Sequence, residues 1–239
     1  MAIFNQAEFS VRCEWGQRGL AELAPVSDVV ILIDLLSFTT AVDIATACDA
    51  IVFPYPLKDP SAAEYAAEMD AQLASAHRGA GFSLSPASLL GLPAGSRLVL
   101  PSPNGARLSF HIHHPALLAA CLRNAGAVAR AAISFGSSFA VVPSGEIWST
   151  GELRPCVEDL VGAGAVIAHL PGARSPEAEL AVACFEHFRD DLPGALRQSS
   201  SGKELIERGF DRDVDLAAEF DTSTNVPRLV GRGFVSERY

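Results

Sequence analysis

Along the chain, short unbroken apolar runs alternate with stretches whose apolar residues recur every three or four positions. Residues 27–34 (SDVVILID) are rich in Val and Ile and close on a carboxylate, which suits a strand buried on both faces of a parallel sheet. Further strand-like runs cover residues 50–55, 97–100, 116–122 and 139–142. Ser37 is placed to cap a helix through residue 48, with Val42, Ala45 and Ala47 at helical spacing. Asp59-Pro60 opens a longer helix whose apolar stripe is Ala62, Tyr65, Ala66, Met69, Leu73 and Ala76. Residues 79–95, rich in Gly, Ser and Pro, read as loop with one short helix. Helices are predicted over 124–132, 156–169, 175–189 and 202–208; Ser175-Pro176-Glu177 combines a cap, a first-turn proline and an acid at the positive dipole end. The alternation argues for an α/β layered fold with a mostly parallel sheet. No internal repeat or long linker interrupts it, so one domain over 1–239 is expected.

Composition narrows the function. Apolar residues make up 49% of the 239, which excludes disorder of the whole chain. The net charge of −10 leaves no cationic excess to neutralise phosphates, so nucleic acid is not an expected partner. No apolar stretch reaches the roughly 20 residues of a membrane span, and no basic segment leads into an apolar core at the N-terminus. The expectation is a soluble cytoplasmic protein, with a homo-oligomer left open. The five cysteines form no CxxC pair and set no zinc framework. His111, His113 and His114 read as a polar loop, because no carboxylate lies within ten residues of them.

Candidate chemistry gathers at the ends of the strand-like runs. Asp34 is followed by Ser37, Thr39 and Thr40, and the next runs end in Ser102-Pro103-Asn104-Gly105, Asn124-Ala125-Gly126 and Ser144-Gly145-Glu146. Ligands of open α/β sheets bind at that rim, and small residues there let backbone N–H groups approach an anion. Singly, Asn104-Gly105 is also a turn signal and Asn124 a helix cap; their repetition at one rim favours a site. Glu158 and Asp159 suit a helix start, and with Asp34 they also suit Mg²⁺, which takes one or two carboxylates plus waters and substrate oxygens. There is no Walker A loop and no G-x-S-x-G, and Gly162-Ala163-Gly164 reads as helix packing.

Taken in order over residues 29–227, the segments VVILIDLLSFTTAVDIA (29–45), PSPNGARL (101–108), NAGAVA (124–129), VEDLVGAG (157–164) and SGKELIERGFDRDVDLAAEFDTSTNVP (201–227) resemble the 2-phosphosulfolactate phosphatases. The resemblance implies a three-layer α/β/α fold and Mg²⁺-dependent hydrolysis of a small anionic phosphate ester, chemistry associated with coenzyme M biosynthesis. With the rim residues, it suggests catalytic roles for Asp34, Asn104, Asn124 and Glu158, and a metal held by Asp34, Glu158 and Asp159. Ser37, Thr39, Thr40, Gly105, Ser144 and Gly145 are the candidate substrate contacts. Whether a carboxylate activates water or attacks phosphorus directly stays open. The alternative is a small-anion binder of the same fold, non-catalytic or with another specificity. One position departs from the family: Ser37 stands where many members carry Arg, a residue suited to gripping a phosphate or sulfonate. Arg107 and Arg154 are the candidate replacements, and without a replacement the grip on a sulfonate substrate is expected to weaken.

Overall fold

A computed structural model describes residues 3–110, 112 and 114–237. In chain order its elements begin β1 (Val11–Cys13), α1 (Gly16–Leu23), β2 (Val29–Ile33), α2 (Phe38–Ala47), β3 (Ile51–Tyr55), α3 (Ser61–Glu68), β4 (Gln72–Leu73) and α4 (Pro86–Leu89). They continue with β5 (Arg97–Pro101), α5 (Gly105–Phe110), β6 (Leu117–Ala120), α6 (Ala125–Phe135), β7 (Phe139–Pro143), β8 (Glu146–Ile147), β9 (Leu153–Arg154) and α7 (Val157–Ile167). The last are α8 (Pro176–Phe188), α9 (Leu192–Gln198), α10 (Ser200–Glu207), α11 (Asp211–Ala218), β10 (Pro227–Val230) and β11 (Gly233–Ser236).

The strand predicted from SDVVILID is the centre of the molecule. β2 pairs parallel with β7 on one side and with β6 on the other, and all five of its residues are buried. Successive side chains of a strand point to opposite faces. Val29, Ile31 and Ile33 accordingly join a core with Val128 of α6, Val166 of α7 and Phe185 of α8, while Val30 and Leu32 join a second core with Leu20 of α1, Val42 of α2 and Leu108 of α5. Helices thus cover both faces of the sheet, giving three layers. The sheet is mixed, in the order β1-β7-β2-β6-β10-β11-β3-β5-β4: two parallel groups joined by the β10–β11 hairpin, which is antiparallel to β6 and to β3.

Two local expectations are corrected. The helix from Asp59 stops at Glu68 instead of running to Ala76. Asp70 takes a left-handed backbone conformation (φ 47°), which Asp tolerates better than most residues. Arg97 donates to the carbonyls of Met69 and Asp70, and the chain then re-enters the sheet as β4, so Leu73 belongs to a strand. Ser37 occupies the predicted N-cap position of α2 but makes no capping bond. The helix start is instead tied back by Thr39 N–H to the Asp34 carbonyl (2.9 Å), which releases the Ser37 hydroxyl for another partner. The β10–β11 hairpin escaped the sequence reading, although Gly231-Arg232 between RLV and GFV carries a two-residue turn signal, with Gly231 at φ 62°.

Candidate active site

The connections after β2, β3, β5 and β7 meet at one rim. Ser144 N–H donates to the Ile33 carbonyl (2.7 Å), Ser102 N–H to the Tyr55 carbonyl (3.0 Å), and Gly105 N–H to Asp34 Oδ2 (2.6 Å). A cleft of about 250 Å³ opens there, lined by Asp34, Ser37, Asn104, Glu146 and the cations Lys58, Arg78 and Arg208, among others.

Asp34 is buried, and its other oxygen accepts from Phe38 N–H (3.4 Å). Gly105 is indispensable to this approach: a Cβ there would stand 2.6 Å from the Phe38 ring and 2.7 Å from Asp34 Oδ2. Burial pushes the Asp34 carboxyl up to about 6; the negative charge of Glu146 adds to the rise, and the N–H donors with Arg78 oppose it. Asp159, at the first turn of α7, accepts from Leu35 N–H (2.7 Å) and Gly145 N–H (2.8 Å). Its carboxyl lies well above the usual range because it is buried, with Asp34 and Glu158 adding repulsion. Gly145 adopts φ 65°, and a Cβ on it would meet Leu153 Cδ1 at 2.8 Å and the Arg154 carbonyl oxygen at 2.9 Å.

The glycine amides read from sequence as holders of a substrate anion are therefore already bonded to the protein's own carboxylates. Buried carboxylates need donors, and the rim supplies them. Thr39 and Thr40 are likewise turned inward: their hydroxyls donate to the carbonyls of Asp34 (3.0 Å) and Leu35 (2.8 Å), locking the turn after β2. Ser144 is buried, and its hydroxyl has no hydrogen-bond partner among the described residues. Glu158 is not at the cleft. It lines a small hollow with Val161, Phe188 and Leu196, and stands as a helix-start acid beside Asp159.

Asn124 is elsewhere too. Its Oδ1 accepts from Cys121 N–H (2.8 Å), and its Nδ2 donates to Asp43 Oδ1 (3.3 Å) and the Asn225 carbonyl (3.2 Å). It belongs to a buried polar cluster that ties α2 to the segment after β6 and to the C-terminal approach to β10. The expectation that Asp34, Asn104, Asn124 and Glu158 share one cleft holds for Asp34 and Asn104 alone. Asn104 Nδ2 donates to Glu146 Oε1 (2.7 Å), while its Oδ1 is buried without a partner.

The replacements considered for the missing Arg at position 37 are not among the residues lining the cleft, although Arg154 reaches Ser201 on its wall. Arg107 lines a separate hollow with Gln17, Leu20 and His114, and Arg154 donates to Ser201 Oγ (3.0 Å) over the Trp148 ring. The cation that meets Ser37 is Arg78, from the connection between β4 and α4, whose Nη2 donates to Ser37 Oγ (2.9 Å). Lys58, Arg78 and Arg208 were missed because lone basic residues in loops carry no spacing signal; Glu146 was noted only as part of a strand-end segment. Of the histidines, His111 and His113 lie outside the described residues. His114 Nε2 donates to the Ser27 carbonyl and its Nδ1 accepts from Ala116 N–H, a bracing role.

Among the described residues, no group of three or more His, Cys, Asp or Glu is placed to hold a metal ion. Mg²⁺ does not need one. Glu146 and the partnerless Asn104 Oδ1 are hard oxygen donors in the same cleft, a set that fits an ion completed by water and substrate phosphate.

The profile of the 2-phosphosulpholactate phosphatase family matches residues 19–232. A probable 2-phosphosulfolactate phosphatase of Synechococcus sp. (strain JA-2-3B'a(2-13)) is 30% identical over 232 residues, covering 88% of this chain and 92% of that protein. One of Gloeobacter violaceus is 37% identical over 142 residues, 59% of this chain and 58% of its own length. The 2-phosphosulfolactate phosphatase of Methanothermobacter thermautotrophicus is 33% identical over 133 residues, 56% of each chain. With a family match that runs nearly end to end over the sheet and cleft just described, this chain belongs to the 2-phosphosulpholactate phosphatase family.

Proposed function

We propose that the cleft hydrolyses a small, multiply anionic phosphate monoester of the 2-phosphosulfolactate kind, releasing the alcohol and inorganic phosphate. The observation that carries this reading is the opposition of charges in one cleft: Asp34, Glu146 and an unpartnered amide oxygen together with three cations. Glu146 and Asn104 Oδ1 are the residues that would hold Mg²⁺, which when bound neutralises charge on the phosphoryl oxygens. Asp34, with its carboxyl pushed up to about 6, is matched to accept the proton of an attacking water near neutral pH. Water oxygen then bonds to phosphorus as the ester oxygen leaves and takes up a proton as the free hydroxyl. Lys58, Arg78 and Arg208 attract the ester and orient it. A substrate with this much charge does not cross a bilayer unaided, so we place the reaction in the cytoplasm, where such an ester would be made.

The test is phosphate release from 2-phosphosulfolactate and from p-nitrophenyl phosphate, with Mg²⁺ and after chelation. Metal-dependent release from the first is expected. No release from either ester in either condition would leave the non-catalytic anion binder as the reading.

A further inference from the structure

We propose that Arg78 makes the cleft selective for an ester bearing a third anion besides its phosphate and carboxylate, such as a sulfonate, and that Asp213 is the positioning residue that holds it. The proposal rests on the phosphatase reading above and concerns which part of the substrate each side of the cleft takes.

Arg78 is gripped from two directions. Its Nη1 donates to Asp213 Oδ2 (2.8 Å) and its Nη2 to Ser37 Oγ (2.9 Å). Asp213, at the first turn of α11, is 1% exposed. Its other oxygen accepts from the Ser85 hydroxyl (2.6 Å) and from Ala87 N–H (3.0 Å). A carboxylate so enclosed pairs with one cation among the described residues, and the pair offsets the cost of burying either charge. The result is a guanidinium whose orientation is set before any ligand arrives. A guanidinium has five N–H donors, and only two take part in hydrogen bonds among the described residues; the rest remain for a ligand.

Lys58 and Arg208 line the same cleft but are held differently. Both are exposed, Arg208 pairs with Glu204 on its own helix turn (3.0 Å), and Lys58 has no ion pair among the described residues. Such side chains lose rotamer entropy on gripping a ligand, whereas Arg78 has already lost it. A rigid, planar donor array is the better discriminator between an oxygen triad that is present and one that is missing.

Chemistry decides which anion Arg78 meets. The phosphoryl group must lie where water can be deprotonated, by Asp34, Glu146 and Asn104. Ser37, the contact of Arg78, is three residues beyond Asp34 in the same turn, which sets the guanidinium beside the phosphoryl position, where an anion three or four bonds from phosphorus can reach it. The hydroxyl of Ser37 is small enough to admit Arg78 and supplies an acceptor for it. A longer side chain there would compete for the same space.

The experiment compares kcat/KM for 2-phosphosulfolactate and 2-phospholactate, which differ only in the sulfonate, using the full chain with Mg²⁺. The unmodified protein is expected to prefer the sulfonate ester. Arg78→Met is expected to reduce that preference by ~10- to 100-fold, mainly through KM for the sulfonate ester, the size of one charge-assisted pair. Asp213→Asn keeps an acceptor for Ser85 and Ala87 and should move the ratio the same way by a smaller factor, with Arg78→Lys restoring part of it. Since Arg78→Met leaves Asp213 buried without its cation, the double variant Arg78→Met/Asp213→Asn gives a neutral site if the single variant unfolds. Equal losses on both esters would overturn the proposal, as would an unmodified protein without preference or a ratio that Arg78→Met leaves unchanged. If neither ester is hydrolysed, the phosphatase reading fails by itself. Calorimetric binding of 3-sulfolactate to the unmodified and Arg78→Met proteins then decides the anion assignment, equal affinities overturning it.

Discussion

Two buried acids at the starts and middles of neighbouring elements have opposite fates. Asp43 of α2 is fully buried and accepts from Arg123 Nε (3.0 Å), the Ser223 hydroxyl (2.8 Å), and the side-chain amides of Asn124 and Asn225 (3.3 Å each). Arg123 is further paired with Glu219, and apart from Asn225 Oδ1 the donors and acceptors of this cluster are matched to one another. Asp34 is buried to a similar degree, and desolvation raises the carboxyls of both. Each region leaves one amide oxygen without a partner, Asn225 Oδ1 and Asn104 Oδ1, but Asp34 borders a cleft lined by three cations. Residue types and burial are alike in the two regions. The open cleft and the cations around it are what separate a site from a brace.

The sharpest way to break this contrast is to neutralise each acid in turn. Asp34→Asn should lower kcat by about 10²–10⁴-fold, the range of a lost acid–base group, while unfolding remains cooperative. Asp43→Ala should do the reverse, removing about 3 kcal/mol of stability by leaving Arg123 short of a partner, with turnover per folded molecule retained. Kinetics and urea unfolding of both variants check this. An active Asp34→Asn enzyme would remove Asp34 from the mechanism.

Next in size is the response to pH. The Asp34 carboxyl is raised from the ordinary 3.8 to about 6 and Asp159 well above its ordinary value, so the folded chain keeps protons that the unfolded chain releases. Stability is therefore highest below about pH 4 as far as these groups go, and is lost as pH rises through about 6. The loss from Asp34 is roughly 3 kcal/mol at most. Urea midpoints of the metal-free protein between pH 5 and pH 8 should fall with pH, and Asp34→Asn should flatten the slope. A rising midpoint would show that the pair is better compensated than its surroundings indicate.

A smaller effect distinguishes the two asparagines. Asn104→Ala should weaken Mg²⁺ affinity, raising the Mg²⁺ concentration for half-maximal turnover by about 10-fold, in the range for lost metal-site groups. Asn124→Ala should cost about 1–3 kcal/mol of stability by leaving Cys121 N–H without its acceptor. Metal titrations and melting curves separate the two. The smallest effect belongs to Arg107→Met and Arg154→Met, neither of which is among the residues lining the cleft. Neither should change kcat/KM by more than about two-fold, within the usual reach of a surface substitution. A ten-fold loss from either would return it to the substrate.

Much of the fold was legible because it rests on local chemistry. VVILI is apolar at every position, and only a strand covered on both faces can bury it; Ser175 caps α8, its hydroxyl accepting from Ala178 N–H (3.1 Å) as its sequence context predicts. The family resemblance, carried by motifs in chain order, survived comparison with known relatives. The place of Asp34 and Asn104 at a strand-end rim also followed from the pattern. What the sequence did not contain was the partner of each polar side chain. Asn124, Thr39 and Glu158 have the same composition of neighbours as true cleft residues, and they are drawn inward by Asp43, by the turn carbonyls and by the α7 packing. Arg78 comes from a Gly- and Ser-rich loop and is aimed by an aspartate 135 positions away. Periodicity encodes which face of an element is buried, since that depends on neighbours within a turn or two. Which donor meets which acceptor depends on chain crossings far apart in sequence, and only the assembled tertiary structure decides it.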